Sequence, residues 1–137
     1  MTVVASKLRR QFALPPEDVE SLDASGLPWE AIVDNGVQWV LVHSWPIPPG
    51  YEVETAAVAV RIVPGYPTAQ LDMVYLHPGL VRTDKKTIAA LTPFTVDGRT
   101  FQQWSRHYTA QNPWRPDLDS VTTHLHAAEE WIRSAGE

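Results

Sequence analysis

The stretch WEAIVDNGVQWVLVHSW, residues 29–45, limits this chain more than any other segment. Two runs rich in β-branched and aromatic residues flank Asp34-Asn35-Gly36. Asn-Gly supplies the two positive φ angles of a type I′ turn, whose twist suits paired strands. The pattern predicts a hairpin with strands near Trp29–Val33 and Val37–Trp45. After the proline-rich link PIPPGYEVE, the run TAAVAVRIV predicts a third strand, and Leu71–Leu76 a fourth beyond the turn PGYPTAQ. Four successive strands imply an antiparallel meander.

The last segment, RPDLDSVTTHLHAAEEWIRSAGE, places Leu118, Val121, Leu125, Ala128 and Ile132 at helical spacing, with Pro116 and Asp117 or Asp119 at its opening. An amphipathic helix from about Asp117 to Ser134 then covers the sheet. Near the start, Pro16 is followed by Glu17 and Asp18, acids where a helix N-terminus favours them, and Gly26 stops the run. This predicts a short helix from Pro16 to about Leu22, preceded by an extension, residues 1–14, with a further short helix around Leu8–Phe12. Strands followed by a helix describe an α+β domain, here over residues 15–137.

Composition removes several function classes. The 137 residues suffice for one core, and twelve prolines with six tryptophans favour short elements, rigid turns and large rings. A net charge of −5 with scattered acids offers no basic stripe for phosphates, so nucleic acid is not an expected partner. No apolar run reaches the roughly 18 residues of a membrane helix. Lys7, Arg9 and Arg10 follow the first apolar residues, the reverse of a secretion signal, and a cytoplasmic protein is expected. There is no cysteine, hence no disulfide, no thiolate-held zinc and no thiol nucleophile. His124 and His126 diverge on a helix and are not expected to share a metal; neither metal nor cofactor is expected.

Beyond these patterns, VAVRIVPGYPTAQLDMVYLHPG resembles the signature of the ubiquitin-conjugating enzyme superfamily: a strand ending at proline, a Tyr-Pro turn, a second strand, and an aromatic residue shortly before His-Pro. NPWRPDLDSVTTHL resembles its Trp-x-Pro helix opening. More narrowly, QWSRHYTAQNPWRPDLDSVTTHL is similar to the prokaryotic family E type, a bacterial group encoded beside ubiquitin-like, ThiF-type activating and JAB-type peptidase proteins. The resemblance spans roughly residues 15–134 and implies a ubiquitin-conjugating-like fold whose partners are a ubiquitin-like protein and a ThiF-type activating enzyme. Two departures stand out. The cysteine that forms a thioester in that superfamily is missing, and Gly79 replaces the asparagine that follows His-Pro.

Ser105 and His107 are the candidates to replace the thiolate. In extended backbone residues i and i+2 share a face, with Cα atoms roughly 6–7 Å apart, whereas in a helix they diverge by about 200°. A serine hydroxyl needs a base, and a histidine titrating near ~6.5 is suited to that at neutral pH. Asn112 or backbone amides would then steady the oxyanion. The alternative is that these are ordinary surface residues of a module that binds the ubiquitin-like protein or its activating enzyme without chemistry. His77 is expected mainly to bond backbone and fix its turn. With Trp104 and Trp114 it completes the binding set, and His77, Ser105, His107 and Trp114 are expected around one shallow groove. Asp72 is expected to face solvent by alternation, with Arg82 or Arg106 as its partner if it is buried instead.

Overall fold

Asn35 and Gly36 take φ angles of 52° and 78°, the left-handed pair that a type I′ turn requires. They join β1 (Trp29–Asp34) to β2 (Val37–Pro46) in antiparallel register, Asp34 opposite Val37 and Trp29 opposite Val42. The computed structural model describes residues 8–137. Its other elements are α1 (Pro16–Ala24), β3 (Thr55–Ile62), β4 (Val74–His77), β5 (Leu91–Val96), β6 (Arg99–Trp104) and α2 (Val121–Ala135).

Among the described residues the strands form one antiparallel sheet in the order β1-β2-β3-β4-β6-β5, so the expected meander of four is a sheet of six. The two additional strands flank Asp97-Gly98, whose φ angles of 53° and 73° repeat the turn geometry of the first hairpin. Pro93 lacks an N–H for a ladder bond, and it sits in β5, an edge strand, where that loss is tolerated.

Alternation along the central strands gives the sheet two apolar faces. Val40 and Val42 of β2 face the helices together with Val58, Val60, Val74, Leu76 and Trp104, against Leu22 of α1 and Val121, Leu125, Ala128 and Ile132 of α2. Trp39 and Leu41 face the other way and join Ile32, Tyr75, Val96 and Phe101. Among the described residues no helix covers that second face. The β5–β6 hairpin curls toward it instead: the Phe94 ring centroid lies 5.4 Å from Tyr75 and 5.9 Å from Trp39. Its turn reaches the first hairpin, where Asp97 N–H donates to Asp34 Oδ2 at 3.1 Å.

Three local expectations change. Residues Leu8–Phe12 form no helix: Arg10 pairs with Ala31 of β1 in a parallel bridge, and Gln11 N–H donates to Ala31 O at 2.7 Å. Arg9 holds this segment, its guanidinium spanning Glu30 and Asp97 at 2.6 Å each, so backbone and charge both gain more beside β1 than in a free helical turn. Residues 1–7 of the extension lie outside the described residues. The last helix starts at Val121, later than Asp117. Leu118 is 66 % exposed, off the packed stripe, within a turn closed by Leu118 N–H to Arg115 O, and Asp119 accepts from Arg115 N–H. At the helix start, the Ser120 N–H donates to the Thr123 hydroxyl.

Candidate functional site

The Tyr-Pro turn and the Trp-x-Pro segment meet near the start of α2. The Tyr66 hydroxyl donates to Asp18 of α1 at 2.6 Å and accepts from Val121 N–H at the start of α2 at 2.8 Å, tying both helices to the Tyr-Pro turn. Burial, with the Asp18 bond, pushes this phenol well above its usual titration. The Trp114 indole donates to Pro67 O at 3.0 Å, and its ring lies 5.4 Å from Tyr108. The Tyr-Pro and Trp-x-Pro segments are thus two halves of one joint.

β4 is the spine of the site, and its two ends differ. At the C-terminal end, His77 Nδ1–H donates to Thr100 O at 3.0 Å, and its ring stands 5.4 Å from Phe101. The next turn is held by Gln102, whose Oε1 accepts from Leu80 N–H at 2.8 Å while its Nε2 donates to Leu80 O at 3.1 Å. The same Oε1 accepts the indole N–H of Trp104 at 2.8 Å. A Cβ at Gly79 would lie 3.2–3.3 Å from Gln102, which would have to give by a few tenths of an ångström. A groove of about 320 Å³ opens here between Gly79, Thr100, Phe101 and Gln102 on one side and Leu91, Thr92 and Pro93 of β5 on the other.

At the N-terminal end the ladder slips. Val74 pairs with Trp104, yet Met73 N–H donates to Arg106 O at 2.9 Å, so Ser105 is an extra residue on β6 in the manner of a β-bulge. Its own N–H turns to Ala90 O at 3.1 Å. The slip carries His107 to Asp72, with Nδ1 donating to Oδ2 at 2.8 Å. Asp72 keeps 35 % of its side chain exposed, as alternation implies in part, and its partner is a histidine rather than Arg82 or Arg106. Met73 takes φ of 61°, a left-handed conformation unusual for a residue with a side chain, and its carbonyl accepts from His124 Nε2–H at 2.7 Å.

His124 is completely buried, its Nδ1 accepting from the Tyr108 hydroxyl at 2.8 Å. Burial lowers its pKa, against the Met73 bond and the charges of Asp72 and Asp119. It is a strut between α2 and β4. Sequence gave no sign of this beyond its place near the apolar stripe.

The expected site residues therefore separate. Ser105 is half-buried and His107 is 53 % exposed at the bulge. His77 sits at the other end of the ladder. It stacks near Phe101, four residues before Ser105, which at ~3.3 Å per residue is roughly 13 Å away. Trp104 is fully buried beneath Arg106, whose guanidinium lies 4.9 Å from its ring, so it supports the bulge from below rather than lining a surface. Trp114 is buried against the half-buried Tyr108, and Asn112 is exposed in a turn where its N–H and C=O pair with Thr109. Among the described residues no hydrogen bond joins Ser105 Oγ to His107, and none joins His77 to either. The bulge explains this: the i, i+2 argument assumes uninterrupted alternation. No group of three or more metal-ligating side chains gathers among the described residues, and no helix there is long and apolar enough to cross a membrane.

Sequence reasoning missed Asp72 as a histidine partner, and Gln102 and Tyr108 entirely. A family model described as Prokaryotic E2 family E matches residues 14–135. No curated protein and no solved structure matches the chain.

Proposed function

Because the chain belongs to prokaryotic E2 family E, we propose that it works in a bacterial ubiquitin-like conjugation pathway, taking the C-terminal acyl group of a ubiquitin-like protein from a ThiF-type activating enzyme onto Ser105. The observation that carries this reading is the bulge. It sets Ser105 apart from the β4 ladder, two residues from an exposed imidazole and bonded to Ala90, the neighbour of the groove-lining Leu91. An extended tail lying along that groove brings its terminal carbonyl to Ser105. Ser105 Oγ then bonds the carbonyl carbon, the C–S bond of the activated thioester breaks, and the hydroxyl proton passes through His107 Nε2 to the leaving thiolate. The product is an oxyester.

The test mixes the protein with its activating enzyme, the ubiquitin-like protein and ATP. A thiol-resistant, hydroxide-sensitive adduct is expected, and Ser105→Ala should abolish it. An adduct that forms on Ser105→Ala at the wild-type rate overturns the proposal. The second reading, a binding module without chemistry, is favoured by the lack of a cysteine and of a Ser105–His107 hydrogen bond among the described residues. Retained binding with no adduct selects it.

A further inference from the structure

We infer that Asp72 is the positioning residue for His107, fixing its Nδ1–H tautomer so that Nε2 faces outward as a proton acceptor; the catalytic part of this inference rests on the function proposed above. Three observations carry it. The first is the 2.8 Å bond from His107 Nδ1–H to Asp72 Oδ2. An imidazole that gives its Nδ1 proton to a carboxylate presents a bare Nε2, and the carboxylate stabilises the imidazolium formed when Nε2 takes a proton.

The second is the other oxygen. Asp72 Oδ1 is buried and has no hydrogen-bond partner among the described residues. A buried carboxylate oxygen without a donor is costly, and such groups persist where the surroundings over-determine them. Among the described residues no lysine or arginine bonds the acid. Arg106, the basic residue beside His107, directs its guanidinium to the carbonyls of Ala89 and Ser105 and to the Trp104 ring. The charge of Asp72 is thus left to His107.

The third is rigidity. Met73, next to Asp72, is pinned on both backbone groups, its N–H by Arg106 O and its C=O by His124, in a left-handed conformation that costs free energy. This brackets the carboxylate between strand and helix. Residues 35 apart in sequence meet because the bulge shifts the register by one.

Two independent readouts test the inference. In the first, ¹⁵N spectra of the His107 ring report its tautomer: the wild type should show Nδ1–H, and Asp72→Asn should move the ring toward Nε2–H. An unchanged tautomer in Asp72→Asn overturns the positioning role. In the second, p-nitrophenyl acetate acetylates an activated serine with release of p-nitrophenolate, and mass spectrometry locates the acetyl group. Acetylation of wild-type Ser105 should slow about 10²-fold or more in Asp72→Asn, with Asp72→Glu recovering part of the rate and an unchanged melting temperature in both. Equal rates in wild type and Asp72→Asn overturn the inference while leaving Ser105 as nucleophile. Absence of acetyl-Ser105 in the wild type overturns the Ser105 chemistry instead, and the tautomer spectra still decide the role of Asp72.

Discussion

The two ends of β4 carry the same kind of residue, a histidine near a turn, and treat it in opposite ways. At the Leu80 end the hydrogen-bonding groups described are matched: His77 donates to Thr100, and Gln102 satisfies both backbone groups of Leu80 and the Trp104 indole. At the Asp72 end, one carboxylate oxygen has no donor among the described residues, Met73 is held left-handed and the His107 ring is exposed. A matched network lowers the free energy of the fold and leaves little to react. An unmatched one keeps reactive groups available at a cost met by the rest of the domain. The difference teaches that the His-Pro turn, the more conspicuous feature of the sequence, has its polar groups tied into the fold, and that the exposed imidazole and the unmatched carboxylate oxygen lie at the less conspicuous end.

Removing the scaffold common to both ends should have the largest effect. Leu125 is 5 % exposed under the sheet, and Leu125→Asp buries a charge without a partner, costing about 4 kcal/mol or more. Urea unfolding should show it, and unchanged stability would mean that α2 is not docked there. Next comes the contrast between histidines. His107→Ala should slow ester formation about 10²-fold, equivalent to about 2.7 kcal/mol, whereas His77→Ala should leave the rate within about threefold. Equal losses would erase the distinction drawn between the ends.

A smaller effect is expected on stability alone. Gln102→Ala strips the partner from Leu80 N–H and from the buried Trp104 indole, a loss of about 2 kcal/mol in unfolding free energy, with the tautomer of His107 unchanged. The smallest is a pH effect at His124. Burial holds its folded pKa below the usual value, so the folded state keeps it neutral while the unfolded chain binds a proton below pH about 6.5. Its stabilisation is fully present above that pH and declines as pH falls from about 6.5 toward the lower folded pKa, by at most about 1.4 kcal/mol per unit. Unfolding curves at pH 7.5, 6 and 5 should show this slope in the wild type and a reduced one in His124→Gln.

The first hairpin was legible because its turn chemistry is local. The second carries the same signal in Asp97-Gly98, flanked by Thr, Phe and Val, and was obscured by Pro93 and by the charged loop before it. An edge strand admits a proline that a central strand refuses, and only the strand order reveals which is which. In the same way, Leu118 fits the helical spacing of α2 but lies before its first turn, since spacing does not locate a helix start to within a few residues.

The sequence by itself determined the α+β class, the antiparallel pairing of the first strands, the apolar stripe from Val121 to Ile132 and the motifs that place the chain in its family. These depend on period and turn type, which act over a few residues. Tertiary structure alone decided that β6 pairs with β4, that Ser105 is the residue left over in that pairing, that Asp72 meets His107 and that His124 is buried against Met73. The physical reason is register. A one-residue slip exchanges which side chains face one another, and that slip is fixed by packing and backbone hydrogen bonds between distant segments, which no local pattern encodes.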